Sequence, residues 1–138
     1  MAQSSITRTV IVAAAVVVVV GGGVYWFKYR KPLQARHDVN ALLDGLNGFA
    51  REQGDYPKGS TAEICQLLLG NPAKGQNQRR LTYIEAAPTE IDLQGEFVDP
   101  WGSPYRIRLH PAPFVYSCGP NRSDEQGGGD DIGAGARP

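Results

Sequence analysis

An uncharged, apolar stretch at residues 9–27 constrains the fold of this chain more than any other feature. Its centre is an unbroken run of valine from Val16 to Val20, and the chain becomes basic soon after it. A transmembrane helix needs about 20 mostly apolar residues, and aromatic residues such as Tyr25 and Trp26 are typical of the membrane interface. The pattern predicts a retained transmembrane anchor. A cleaved signal peptide is the alternative, with the three glycines after Val20 as its cleavage site.

Charge is distributed unevenly along the chain although the formal net charge is zero. All 14 acidic residues lie at Asp38 or later, so the part of the chain from Asp38 onward is acidic by about five charges. Nucleic-acid binders depend on clustered Lys and Arg, and we therefore expect no nucleic-acid partner. The flank that follows the anchor, residues 28–36, is the more basic side of the span. By the positive-inside rule alone this flank would place the domain in the cytoplasm.

Hydrophobic periodicity predicts an α+β domain. Apolar residues recur with helical spacing from Val39 to Ala50, which predicts an amphipathic helix. A capping-box pattern starting at Ser60 predicts a second, short helix. Alternating or β-rich segments then predict strands at residues 81–84, 91–93, 105–109 and 114–117. We expect the helix to pack on a small antiparallel sheet.

No pattern of catalytic residues is present, and we expect the protein not to be an enzyme. His37 and His110 are isolated from other metal-ligand residue types. Cys65 and Cys118 do not form a Cys-x-x-Cys pair. These two cysteines are open to two interpretations, a disulfide in an oxidising compartment or two buried, reduced thiols.

The tail from Gly119 onward combines acidic and amide side chains with glycine. Oxygen ligands on a flexible loop are what Ca²⁺ requires. The spacing of an EF-hand is absent, however, so a solvated acidic tail is the alternative on composition alone.

Three segments of the domain resemble the major pseudopilin of bacterial type II secretion systems. The string Asp99-Pro100-Trp101-Gly102-Ser103-Pro104-Tyr105 is very similar to the family's Asp-Pro-Trp-Gly-Asn-Pro-Tyr string. Residues 41–57, which end in Asp-Tyr-Pro, resemble the end of the family's long helix, and residues 62–69 its short helix. Residues 116–121 and 129–132 resemble the family's C-terminal calcium loop.

This resemblance implies a pilin-like fold, with an N-terminal transmembrane helix, a small antiparallel sheet and a loop stabilised by Ca²⁺. It implies a single-pass protein of the bacterial inner membrane with three parts: a cytoplasmic N-terminus at 1–8, an anchor at 9–29 and a pseudopilin-like domain at 30–138. That domain would lie in the periplasm or outside the cell. Its partners would be the membrane and other pseudopilin-like subunits or secretion-apparatus proteins, in a homo-oligomer or filament.

The resemblance also implies a set of metal ligands. The family's positions fall on the Cys118 carbonyl, Asn121, Asp130 and Asp131, and the slightly longer loop makes Asp124 a substitute ligand. Glu125 is expected to contribute little.

The chain differs from the family pattern at two places. Asn121 stands where the family has Asp, and no Gly precedes and no Glu lies within the apolar run. In the family that glutamate is thought to neutralise the amino terminus of a neighbouring subunit during assembly. A second function therefore stays open: a membrane-anchored, Ca²⁺-dependent protein-binding module that does not polymerise.

Overall fold

The computed structural model describes residues 22–85 and 90–136. The chain divides into two compact units, residues 1–33 and residues 34–138. In the first unit, residues 22–25 are helical and a π-helical segment spans Trp26–Arg30. The predicted cytoplasmic N-terminus and most of the predicted anchor at 9–29 lie outside the described residues. Among the helices of residues 22–85 and 90–136, none is both long and apolar enough to cross a membrane.

The amphipathic helix predicted from Val39 to Ala50 is confirmed as part of a longer helix. Helix α1 spans Lys31–Gln53. Its second residue is Pro32, which has no backbone N–H to donate and which follows directly on the π-helical segment, where the regular α-helical hydrogen-bond pattern is interrupted. One face of α1 is fully buried, at a spacing of three and four residues, and it consists of Ala35, Val39, Leu42, Leu46 and Phe49.

The predicted capping box is present at the start of helix α2, which spans Thr61–Leu68. The Ser60 hydroxyl accepts a hydrogen bond from the Glu63 backbone N–H, and the Glu63 carboxylate accepts one from the Ser60 backbone N–H at 2.8 Å. Both bonds satisfy N–H groups that a helix N-terminus would otherwise leave unpaired. The buried side chains of α2 join those of α1 in one hydrophobic core, together with Phe97, Tyr105 and Val115.

Three antiparallel strands form the sheet: β1 (Arg106–Arg108), β2 (Phe114–Ser117) and β3 (Ile132–Gly135). Strand β2 lies in the centre and pairs with β1 on one side and with β3 on the other. All four residues of β2 are buried. The α+β class, with a helix preceding a small antiparallel sheet, is therefore confirmed for the described residues.

Two of the predicted strands are wrong. Residues 81–84 form no strand, because the backbone N–H groups of Tyr83 and Ile84 both donate to the Leu68 carbonyl at the end of α2, at 2.8 and 3.2 Å. Residues 91–93 form no strand either, and Ile91 makes only an isolated bridge to Phe97.

Strand β3 was not predicted. Its sequence, Ile-Gly-Ala-Gly, carries no alternation of apolar and polar side chains. It forms because β2 offers it a partner, and the glycines leave room for neighbouring side chains. A Cβ at Gly133 would lie 2.7 Å from the ring of Phe114.

Two glycines of α1 allow the segment at residues 81–84 to approach the helix closely. A Cβ at Gly45 would lie 3.3 Å from the Tyr83 carbonyl oxygen, whereas one at Gly48 would lie 3.4 Å from the Tyr83 ring. The Tyr83 ring also packs on Phe49, with ring centroids 5.3 Å apart. The Tyr83 carbonyl belongs to a backbone that is hydrogen-bonded to Leu68 and cannot move freely, but the ring can rotate away.

We expect the substitutions Gly48→Ala and Gly45→Ala to differ in their effect on stability. Alanine gains up to about 1 kcal/mol over glycine inside a helix, and Gly48→Ala should keep most of that gain. Gly45→Ala should lose it, because its Cβ meets a fixed carbonyl. Urea unfolding of the full chain, followed by circular dichroism, measures both free energies, and equal effects of the two substitutions would contradict this account of the close approach.

Candidate metal-binding loop

Residues 118–131 form the loop that connects β2 to β3. The register pairs Ser117 at the end of β2 with Ile132 at the start of β3. The first residues of the loop are thereby brought next to its last ones. The predicted ligands at both ends of this segment meet for that reason, although they are about ten residues apart in the sequence.

The two ends of the loop touch at Gly119. Its φ is +66°, and a Cβ there would overlap the carbonyl group of Asp130. Only glycine adopts such a conformation at this close approach without strain. The backbone N–H of Asn121 then donates to Asp130 Oδ2 at 3.2 Å, and the Asn121 side-chain amide donates to Asp130 Oδ1. Its own amide oxygen accepts the backbone N–H of Ser123 at 2.6 Å.

Three carboxylates converge inside the loop. One oxygen each of Glu125, Asp130 and Asp131 lies within 4.8 Å of the others. Carboxylates this close repel one another. Backbone N–H groups offset part of that cost, since Asp130 donates to Glu125 Oε2 at 3.0 Å, and Glu125 and Gly127 donate to Asp131 Oδ2 at 3.0 and 2.8 Å.

The second oxygen of Asp131 has no partner. Asp131 is only 8% exposed, and its Oδ1 is one of two fully buried side-chain polar atoms in residues 22–85 and 90–136 that lack a hydrogen bond. The other is Trp101 Nε1. Buried polar atoms are nearly always satisfied, so this oxygen is available as a ligand atom beside the two further carboxylates. The donor set is all oxygen and negatively charged, which fits a hard divalent ion such as Ca²⁺.

Asp124 lies outside this cluster. Its Oδ1 accepts the Tyr116 hydroxyl at 2.9 Å and the Gln126 backbone N–H at 3.0 Å, and its Oδ2 forms an ion pair with Arg106 Nε at 3.4 Å. The backbone N–H of Gln126, followed by the Tyr116 hydroxyl and Arg106, holds the pKa of the Asp124 carboxyl below its usual value. Asp124 thus connects the loop to the face of β1 and β2.

The structure therefore brings together Asn121, Asp130 and Asp131 among the predicted ligands, and turns Asp124 away. Cys118 lies at the start of the loop with its side chain buried. Glu125 was expected to contribute little, but one of its carboxylate oxygens lies within 4.8 Å of those of Asp130 and Asp131. The assignment of metal ligands stays a prediction.

Both cysteines are free thiols in this structure. Burial raises the pKa of Cys65 to about 11, and burial also raises the pKa of Cys118. A raised pKa disfavours the thiolate, which is the nucleophilic form of cysteine.

The fold is similar to that of a solved bacterial protein. The crystal structure of the major pseudopilin from the type 2 secretion system of enterohaemorrhagic Escherichia coli superimposes with a TM-score of 0.50. The alignment covers 84% of this chain and 92% of that chain, at 21% sequence identity. No family model matches the sequence, and no curated protein matches it either. The similarity shows a pilin-like fold.

Proposed function

We propose that this protein is a structural subunit of an apparatus that resembles a type II secretion system. The observation that carries the proposal is the pseudopilin-like fold of the domain, found over most of both chains. The string at residues 99–105 supports it independently, because it is the family's most specific sequence mark. The partners would be further pseudopilin-like subunits or other proteins of the apparatus, and the role would be assembly and not catalysis.

The proposed location is the bacterial inner membrane, with a single anchor at residues 9–29. The length of residues 9–27 and their lack of charge support the anchor. The domain at residues 30–138 would lie in the periplasm or outside the cell, where proteins with this fold operate in secretion. The basic flank at residues 28–36 opposes this orientation, so topology is a direct test.

The loop at residues 118–131 would bind Ca²⁺ and stabilise the domain. Asp130, Asp131 and Glu125 would supply carboxylate oxygens, and the Cys118 carbonyl a further oxygen. Asn121 would add its amide oxygen once its amide, whose nitrogen donates to Asp130 in this structure, turns toward the ion. The unpaired, buried Oδ1 of Asp131 is the observation that favours a bound cation over a solvated acidic loop. The ion would offset the repulsion among the carboxylates and tie the start of the loop to its end.

A second candidate function is a membrane-anchored, Ca²⁺-dependent module that binds a partner protein without polymerising. One observation favours it. No acidic residue precedes Asp38, so the glutamate with which the family neutralises a neighbouring amino terminus is absent from the apolar run.

Melting curves test the calcium site with a matched pair of neighbouring acidic residues. For the full chain, Ca²⁺ at a hundred times its dissociation constant should stabilise by about 2.7 kcal/mol, which is several degrees in melting temperature. Glu125→Gln should roughly halve that gain, since a tenfold weaker affinity is about 1.4 kcal/mol. In chelator the same substitution should leave the melting temperature unchanged or raise it, because it removes one of three like charges.

Asp124→Asn is the control for this measurement. It should lower the melting temperature slightly with and without Ca²⁺, through the lost pair with Arg106, and should leave the gain from Ca²⁺ intact. Identical melting curves of the unsubstituted protein in Ca²⁺ and in chelator would remove calcium from the proposed function. If Asp124→Asn reduced the gain in melting temperature from Ca²⁺ as much as Glu125→Gln does, the proposed set of ligands would be wrong.

Assembly is tested by electron microscopy of bacteria that overexpress the full chain. We expect filaments that an antibody against the domain decorates, because overexpressed structural subunits of this kind should add to one another through identical contacts. A protein that stays monomeric in the membrane and is cross-linked to one different protein would favour the second candidate function.

Topology is tested by reporter fusions after Pro138. A reporter active only outside the cytoplasm should give signal, and one active only in the cytoplasm should give none. The reverse pattern would show that the basic flank at residues 28–36 determines the orientation, and it would overturn the proposed location.

A further inference from the structure

Asp99 organises a tight turn at residues 99–103. It is buried, with 4% of its surface exposed. Its Oδ1 accepts the backbone N–H groups of Trp101 and Ser103 at 3.0 and 2.8 Å, while its own backbone pairs with Ser103. One oxygen of this carboxylate is therefore sufficient to hold the turn, and the second is free for another use.

The second oxygen reaches strand β2. Asp99 Oδ2 accepts the hydroxyl of Ser117 at 2.6 Å, and Ser117 is fully buried. The Ser117 oxygen in turn accepts the backbone N–H of Gly119 at 3.0 Å. Because an ionised carboxylate can only accept, the hydroxyl proton must point to Asp99, and the lone pairs of Ser117 are left to receive Gly119.

This chain of bonds ends at the residue where the candidate metal-binding loop closes. Gly119 is the point at which the start of the loop touches Asp130. Its backbone conformation also determines where the Cys118 carbonyl and Asn121 lie relative to the carboxylates. A buried, charge-assisted hydrogen bond is worth more than a neutral one, so the link resists rotation of the loop away from its closed form.

We propose that Asp99, acting through Ser117, is a positioning residue for the metal-binding loop. The inference rests on the calcium part of the proposed function and adds to it: the turn at residues 99–103 fixes the start of the loop before any ion binds. Without the hydrogen bond between Asp99 and Ser117, Asp130 and Asp131 stay in place next to β3, but the start of the loop after β2 can move. A cation then has to order the start of the loop when it binds, and its affinity falls.

The chain contains a matched control for this inference. Asp92 holds a second turn with the same pattern, in which its Oδ1 accepts the backbone N–H groups of Gln94 and Glu96, both at 2.9 Å. The backbones of Asp92 and Glu96 also pair, as those of Asp99 and Ser103 do. No hydroxyl of the described residues links Asp92 to the loop at residues 118–131.

The test compares Asp99→Asn, Ser117→Ala and Asp92→Asn in the full chain. We measure the Ca²⁺ dissociation constant by calorimetry, and amide hydrogen exchange of residues 118–131 in chelator. Asp99→Asn and Ser117→Ala should each weaken Ca²⁺ binding by about tenfold, equal to about 1.4 kcal/mol, and should speed exchange at Gly119 and the residues after it. Asp92→Asn should lower the melting temperature without changing either quantity.

Equal Ca²⁺ affinity and equal loop exchange in Asp99→Asn and Asp92→Asn would overturn the inference, and would leave Asp99 as a residue of the turn only. If Asp99→Asn does not fold, Ser117→Ala decides, since it keeps the turn and removes only the link. If the unsubstituted protein binds no Ca²⁺, the calcium part of the proposed function fails. The exchange measurement then still decides whether Asp99 and Ser117 hold the start of the loop.

Discussion

The pairing of β2 with both of its neighbours is the constraint on which the rest of the domain depends. Each residue of β2 is buried, so a slip by one position would move every side chain to the opposite face and disrupt the packing on both faces. Its last residue, Ser117, pairs with Ile132 and also donates its hydroxyl hydrogen bond to Asp99. Ser117 therefore connects the loop, the turn at residues 99–103 and the sheet.

The acidic side chains of the loop at residues 118–131 form two separate groups. Asp124 forms its contacts with Arg106 and Tyr116 on the sheet, which makes it part of the framework. Glu125, one residue later, points instead to Asp130 and Asp131. The adjacent residues Asp124 and Glu125 therefore make different contacts.

Local patterns in the sequence were sufficient for the helices and for the central strand. The spacing of Val39, Leu42 and Leu46 predicts the buried face of α1 because a helix packed on one side must repeat in that way. The capping box at Ser60 is equally local. In contrast, β3 could not be predicted, because its glycines carry no pattern and only the partner strand gives them a conformation.

The candidate site was predicted in part for the same reason. The resemblance assigned Asn121, Asp130 and Asp131 to one site, and the structure brings them close together because β2 and β3 are paired where the loop begins and ends. Glu125 and not Asp124 approaches Asp130 and Asp131, because Asp124 has its partners on the sheet. Tyr116 on β2 and Arg106 on β1 hold Asp124, and the spacing of residues within the tail does not indicate these contacts.

Asn121 has a consequence for how firmly an ion would be held. A divalent cation among Glu125, Asp130 and Asp131 would leave one residual negative charge, whereas an aspartate at position 121 would leave two. The smaller excess of negative charge attracts the cation less strongly. It also lowers the electrostatic repulsion within the loop when no ion is bound. A loop balanced in this way would exchange its ion with the surroundings, so that the occupancy of the site would follow the local supply of calcium instead of being fixed once at folding.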